Sequence, residues 1–510
     1  MISRPKISDD IKFAVDEHIW GHRLHDAQLP YLVFLEFLNV FLHNLELPFE
    51  VDEDGCAEYI PQRQLVLRHI LFNNPMVDVI ASMKTADEDK WSKWESQFLD
   101  TAVGLELDSL KHLKESFYSF DDFYRAVDLL RSSAFEAKSN KRWSSKFVFP
   151  YGPDTLYEDL KVDSSGNCTN DRIFFGRSGE LLYLMLSRAT DAQKLANLIK
   201  VRLFDESAQL NRLAKAIQGP RQLSTTTKKT GYLPAGHKAR YEHMCHDWIA
   251  ILSRDMPIDD AIEHLVTSIG LNLILYFIEQ GKMTAGDTAP LELLCEIVSS
   301  NRTKVRALSS DSWQQNQAMS MRAIRTSIES IQYMPEWQTA LVSSNPIESC
   351  AELTRAMFQW PTDETRFNNH EPKSLISELL ESAEFRHVKH IGKIHSSWSR
   401  AIGLSSRRLS RRTRYAPSDR LLKTLVITVV QEPMEFTDFL CKLRERYGLI
   451  FGDVEGERFV KENLVDQEAL SDNAARLESR LLGLGLLRRL SDACSFVENP
   501  FFSEASNARG

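Results

Sequence analysis

Apolar positions recur at helical spacing along most of the 510 residues, and the alternation expected of half-buried strands is scarce. The stretch "LPYLVFLEFLNVFLHNLELPFE" has Pro30 at a helix start, apolar residues on most faces and a break at Pro48, which predicts a core helix. "DKWSKWESQFLDTAVGLEL" and "SFDDFYRAVDLLRSSAFEAK" read as amphipathic helices, the second with Ser119 as N-cap and acids in its first turn. Residues 1–145 are therefore expected to form an N-terminal helical domain.

The pattern changes at "KFVFPYGPDTLYEDL", an aromatic run followed by two prolines and a glycine, and "DSSGNCTND" predicts a turn. "RIFFGRSGELLYLMLSRATDAQKLANLIKVRLF" reads as an apolar segment, a turn at Gly176 to Gly179 and a long helix, so residues 146–218 form a mixed segment. Residues 219–240 are polar, rich in Gly, Pro, Thr and Lys, and predict a linker or loop. Helical spacing returns over 241–400, in "YEHMCHDWIAILSRD", "PIDDAIEHLVTSIGLNLILYFIEQG" and "APLELLCEIVSS", with no repeat of fixed period.

After a basic arm at 401–416, residues 417–502 predict a compact unit, followed by a flexible tail at 503–510. "PSDRLLKTLVITVV" is a helix capped by Ser418, and "MEFTDFLCKLRERYGLIFG" is a short extended piece leading into a second helix. "SDNAARLESRLLGLG" is a third helix closed by Gly483 and Gly485, and "LLRRLSDACSFVENPF" is a pair of strands around Ser491 and Asp492. Three helices and a terminal hairpin follow the order of a winged helix-turn-helix, with "DVEGERFVKENLVDQEAL" as an extra helix or loop. The expected fold class is mainly α, a multi-domain helical body with a C-terminal winged helix-turn-helix.

The net charge of −9 does not by itself suggest a nucleic-acid binder, but its distribution is uneven. Arg386 to Lys423 holds eleven basic residues against Asp419 alone, a charge of +10 that leaves −19 on the remainder. Five of these arginines, Arg407, Arg408, Arg411, Arg412 and Arg414, fall in "RRLSRRTRY". Nucleic-acid contact, charge pairing with the acidic remainder or a partner subunit, and a membrane or targeting role are the readings open to such a strip. The winged-helix reading makes it a flexible arm that tracks phosphates, with Arg476 and Arg480 on one face of the third helix and Arg488 and Arg489 on the wing. The seven cysteines are scattered and lack a CxxC pair, which argues for reduced thiols in a cytoplasmic protein. "MISRPKISDDIKF" is not a secretory signal, and the 14-residue apolar run Leu265 to Ile278 is short for a membrane span.

Candidate chemistry is sparse, and no cofactor is called for. His18, His22 and His25 would share a face with Asp26 if a helix ran through Gly21, a spacing that can bind a transition metal. His243, Cys245, His246 and Asp247 form a second such group. "FFGRSGELLYLML" lacks both the Lys-Ser/Thr of a phosphate-binding loop and the GxGxxG spacing. Asp154, Asp159 and Lys161 superficially match a PD-(D/E)xK nuclease site, with helix capping by Asp154 as the competing reading.

The segments "YAPSDRLLKTLV", "MEFTDFLCKLRERYGLIFG" and "LESRLLGLGLLRRLSDACSFVENPF" resemble the winged-helix tails of large bacterial proteins encoded in antiphage or DNA-modification-linked defence islands, and "FFGRSGELLYLMLSRA" is similar to a segment of the same proteins. The resemblance implies a cytoplasmic, DNA-associated component acting with other protein subunits that supply enzymatic activity. The function expected is a non-enzymatic scaffold or sensor that contacts duplex DNA and no membrane. A partner-docking subunit and a divergent metal-dependent nuclease are the alternatives.

Overall fold

A computed structural model describes residues 13–501, apart from 133–151, 156–159, 163–167, 171–175, 224–226, 299–303, 361–370 and scattered single or paired positions. His22, Asp159, most of "DSSGNCTND" and the 503–510 tail lie outside the described residues. The fold is mainly α, with only short strands.

The chain is organised around the helix Ile258–Thr284, which is apolar on nearly every face and buries Leu265, Ile269, Leu273, Ile274, Tyr276 and Phe277. Each such side chain contributes about 1.5–3 kcal/mol over its exposed state. Helices Pro30–His43, Ala239–Leu252, Lys304–Glu329, Ile394–Ala401 and Asp419–Val429 pack around it. Among the described residues this is the one helix long and apolar enough to cross a membrane, and its apolar window is 89% buried by the rest of the chain. The run Leu265 to Ile278 lies wholly inside it.

Pro30 starts the helix Pro30–His43 because the first turn needs no N–H from that position. Its aromatic face holds Phe34 and Phe37, both edge-on to Trp248 at 5.4 and 5.1 Å. The helix Ser178–Ser187 crosses it so closely that a Cβ at Gly179 would fall 2.5 Å from Glu36 Cβ and from Phe37 N. The sequence segment read as one long helix is two, Ser178–Ser187 and Ala192–Leu203, divided by a turn at Arg188 to Asp191. A second core gathers Trp91, Trp94, Phe120 and Phe123 with Ala214 and Ile217. Ser119 caps the helix Phe120–Ser132 as its sequence suggests, its Oγ accepting the Asp122 N–H at 3.2 Å.

The polar segment after Gly219 is tied to the N-terminal part of the chain. Gln222–Leu223 pairs with Gln62–Arg63 and Lys228–Lys229 with Glu58–Tyr59, while Tyr232 and Leu233 are buried. Within "APLELLCEIVSS", expected to be helical, residues 289–298 form no helix and Leu293–Leu294 is a strand instead. Leu293–Leu294 pairs in parallel with Leu449–Ile450, and the short apolar run carries no period that separates strand from helix.

Residues 417–501 fold as helix Asp419–Val429, strand Met434–Glu435, helix Phe436–Tyr447, a short helix Glu457–Lys461, helix Gln467–Gly483 and the hairpin Leu487–Ser491 with Cys494–Val497. Met434–Glu435 adds to Cys494–Val497, giving a three-stranded antiparallel sheet. Ser418 accepts the Leu421 N–H and starts the first helix. The unit shares the main core with the body. Asn473 takes part in three bonds at this seam, to Cys295 O, Phe451 O and the Ile297 N–H, at 2.8–2.9 Å.

Candidate nucleic-acid interface

The basic strip is the tip of a hairpin. Ser405–Ser406 pairs with Arg414–Tyr415, and the turn between them, 407–413, carries Arg407, Arg408, Arg411 and Arg412, all exposed. The expectation of a flexible arm is corrected here, because both ends of the turn are held. The Ala416 N–H donates to Leu404 O at 2.9 Å and the Ser418 N–H to Gly403 O at 2.8 Å. Ser309 and Ser310, on the helix Lys304–Glu329, donate to Tyr415 O and Thr413 O at 2.9 and 3.0 Å.

Beneath the turn lies a buried arginine–glutamate–arginine group. Glu296 is 1% exposed and Arg414 0%; each of Glu296's oxygens accepts from a guanidinium, Oε1 from Arg306 Nε at 2.8 Å and Oε2 from Arg414 Nε. The turn's carbonyls add to the solvation of both guanidiniums. Arg414 Nη2 donates to Arg408 O at 2.7 Å and Arg306 Nη1 to Leu409 O at 3.3 Å. Leu409 has a positive φ of 58°, a strained conformation that these bonds hold in place. Arg414 is therefore a brace inside the protein and cannot reach a phosphate, which removes it from the exposed arginines grouped by sequence.

The four arginines at the surface differ in their partners. Arg412 lies 3.9 Å from Asp311, with both side chains mostly exposed, a pairing of little energetic weight. Arg407 Nε donates to Thr413 Oγ1 at 2.7 Å, and Arg407, Arg408 and Arg411 have no ion pair with a described residue. Guanidiniums without an acid partner on a braced turn have the geometry that pairs with phosphate or carboxylate oxygens.

The arginines of the C-terminal unit are otherwise engaged. Arg476 pairs with Asp472 at 3.3 Å and Arg480 with Asp419 at 2.7 Å, while Arg480 also donates to Pro417 O at 3.0 Å. Arg488 pairs with Glu498 at 2.8 Å and Arg489 with Glu478 at 3.0 Å. The third helix thus touches the base of the arginine turn through Arg480 and the hairpin through Glu478.

The remaining candidates are not brought together. Gly21, at φ +88°, ends the helix Val15–Trp20, so His18 and His25 lie on different elements. His18 Nε2 bonds to Met357 O at 2.7 Å, and His25 Nδ1 accepts the Ala27 N–H. Asp247 is buried and accepts from Arg446, from Tyr447 Oη at 2.7 Å and from Asn272 Nδ2 at 2.8 Å, whereas His246 faces Asp191 at 3.4 Å. Asp154 is buried against Asn211, with its N–H donating to Asn211 Oδ1 at 3.0 Å. No group of His, Cys, Asp and Glu able to hold a metal occurs among the described residues. The glycine turn at Gly176 to Gly179 wraps a carboxyl group of the protein's own. Glu36 accepts the Arg177 and Gly179 N–H groups at 3.0 and 2.7 Å and Gln28 Nε2 at 2.9 Å; burial, with the nearby Glu180 charge, pushes its carboxyl up to about 7.

Glu296 and Arg306 were not legible as site residues. The available signal is the lone acid in "LLCEIV": a carboxylate within a buried apolar run must have a cationic partner. The fold thus defines a mainly α protein whose core joins a helical body to a C-terminal unit of helices and a three-stranded sheet, with a braced arginine turn between them. Residues 382–498, which include the turn and nearly all of that unit, match the family model described as methylation-associated defense system protein MAD7, a match that supports a defence-island protein. No curated protein and no solved structure matches the chain.

Proposed function

We propose that the protein is a non-enzymatic subunit of a methylation-associated defence system that holds duplex DNA through the turn 407–413, next to a winged helix formed by residues 417–502. The observation that carries the reading is the set of exposed, acid-free guanidiniums of Arg407, Arg408 and Arg411 on a turn braced from below. Bracing lowers the ordering cost that a loose arm would incur on binding. The helix–strand–helix–helix–hairpin order, with the first strand added to the last, supports the winged helix. Phosphate contact of this kind gives affinity without sequence preference.

A second reading has its own support. Arg476, Arg480, Arg488 and Arg489 are all paired with acids, and Leu482 and Leu490 are exposed at 45% and 59% on the third helix and hairpin. Those features suit a partner protein better than a DNA groove, so the helix and wing dock a second subunit while the turn holds DNA. Fluorescence anisotropy of a labelled duplex with purified protein tests the DNA reading. Binding at moderate salt, lost when Arg407, Arg408 and Arg411 become Gln and kept when Leu490 becomes Ser, is expected. Absence of binding by the purified wild type would leave the partner-docking reading alone.

A further inference from the structure

A cavity of about 610 Å³ opens where the helical body meets the C-terminal unit, within the usual range for small-molecule sites of roughly 300–1,000 Å³. Lys194, Ser253 and Arg254 line it from the body, and Gln431 and Arg446 from the C-terminal unit. Its charge is unbalanced. Lys194 and Arg254 have no ion pair with a described residue, and Arg446 is neutralised by Asp247. The one acid on the wall, Asp191, faces His246 at 3.4 Å.

Arg254 is the most informative of these groups. Its guanidinium is half-buried, Nη2 donates to the neutral Gln431 Oε1 at 2.9 Å, and burial alone lowers its pKa, with no carboxylate nearby to offset the desolvation. The Nε–H groups of Arg254 and Arg446 have no acceptor among the described residues. The turn that carries Arg254 is held in place, because Arg202 donates to the carbonyls of Arg254 and Met256 at 2.8 and 2.6 Å. A half-buried cation without a counter-charge, on a rigid turn and lining the same cavity as a second unpaired cation, is an arrangement that an anion stabilises. Ile249 and Ala250 add an apolar side to the wall, so the space suits a phosphate attached to an organic group better than a bare ion.

We propose that this cavity binds a phosphorylated small molecule of mononucleotide size, its phosphate held by Arg254 and Lys194, and that occupancy braces the C-terminal unit against the body. The site is separate from the arginine turn, so its test does not depend on DNA binding. The probes are AMP and, as the uncharged control, adenosine, each titrated at millimolar concentration while thermal unfolding of the full chain is followed. AMP should raise the midpoint saturably and adenosine should not. Arg254→Gln should weaken AMP binding by about tenfold or more, the effect of losing one charge-assisted pair. Lys194→Gln, at an exposed position that does not threaten the fold, should weaken it several-fold, and Arg407→Gln should leave it unchanged. No saturable shift with AMP, an equal shift with adenosine, or AMP binding that survives the Lys194→Gln and Arg254→Gln pair would overturn the proposal.

Discussion

Replacing Glu296 with Gln separates two explanations of the arginine turn, because they give opposite signs. The carboxylate is 1% exposed and is shared by Arg306 and Arg414, which are 9% and 0% exposed. Removing its charge leaves the buried Arg414 without a carboxylate among the described residues and takes one from Arg306, and breaking a buried pair in this way costs about 3–5 kcal/mol. The loss should appear as a lower urea midpoint and as faster hydrogen exchange at the Ala416 and Ser418 amides, which close the base of the turn. The same substitution makes the chain less acidic. If DNA responded only to overall charge, Glu296→Gln would bind more tightly. If the turn must be held, three surface arginines lose their preorganisation at about 0.5 kcal/mol or more each, which weakens duplex binding by roughly tenfold. Anisotropy at fixed moderate salt decides the sign. Unfolding free energy within about 1 kcal/mol of wild type, together with unchanged or tighter DNA binding, would refute the bracing argument.

Three further outcomes follow from the same geometry. Asp247→Ala removes the acceptor shared by Arg446, Tyr447 and Asn272 at the seam between body and C-terminal unit, and should cost about 3–5 kcal/mol in urea unfolding; a loss under about 1 kcal/mol would count against this seam. Gly179→Ala forces a methyl group to within 2.5 Å of the neighbouring helix backbone, so its thermal midpoint should fall by an amount equivalent to about 1–3 kcal/mol, and a variant as stable as wild type would contradict the close crossing. Burial holds His395 neutral down to about 3, and His264 and His387 to about 4, against 6.5 for a free ring. The unfolded chain therefore binds protons below pH 6.5 that the folded chain refuses, and stability falls as pH drops from 6.5 towards 4. Each ring should cost about 2 kcal/mol at about pH 5, readable as a drop in urea midpoint that His264→Gln reduces.

What could be read from the sequence was local, and what could not was a matter of distant partners. Pro30, Ser119 and Ser418 announce helix starts because each acts within one turn of its own position. The helix–strand–helix–helix–hairpin order of the last hundred residues was legible for the same reason, each element being marked by its own cap, glycine or alternation. Leu293–Leu294 became a strand only because Leu449–Ile450 lies beside it, a pairing that no local pattern carries. The five clustered arginines looked equivalent in the sequence. The structure divides them by a carboxylate 118 residues away, which draws Arg414 inside and leaves its neighbours outside. His18 and His25 show the reverse: a spacing that suggested a shared face lost it to one glycine at φ +88°.

The central claim, that the turn 407–413 holds DNA by its phosphates, is tested most directly by the salt dependence of duplex binding. The logarithm of the association constant should fall linearly with the logarithm of salt concentration, with a slope of about −0.9 for each phosphate neutralised. Changing Arg407, Arg408 and Arg411 to Gln should make that slope shallower by about 2–3 while leaving thermal stability near wild type, since all three are exposed and without acid partners. A variant that is folded and binds duplex with the wild-type slope would contradict the account.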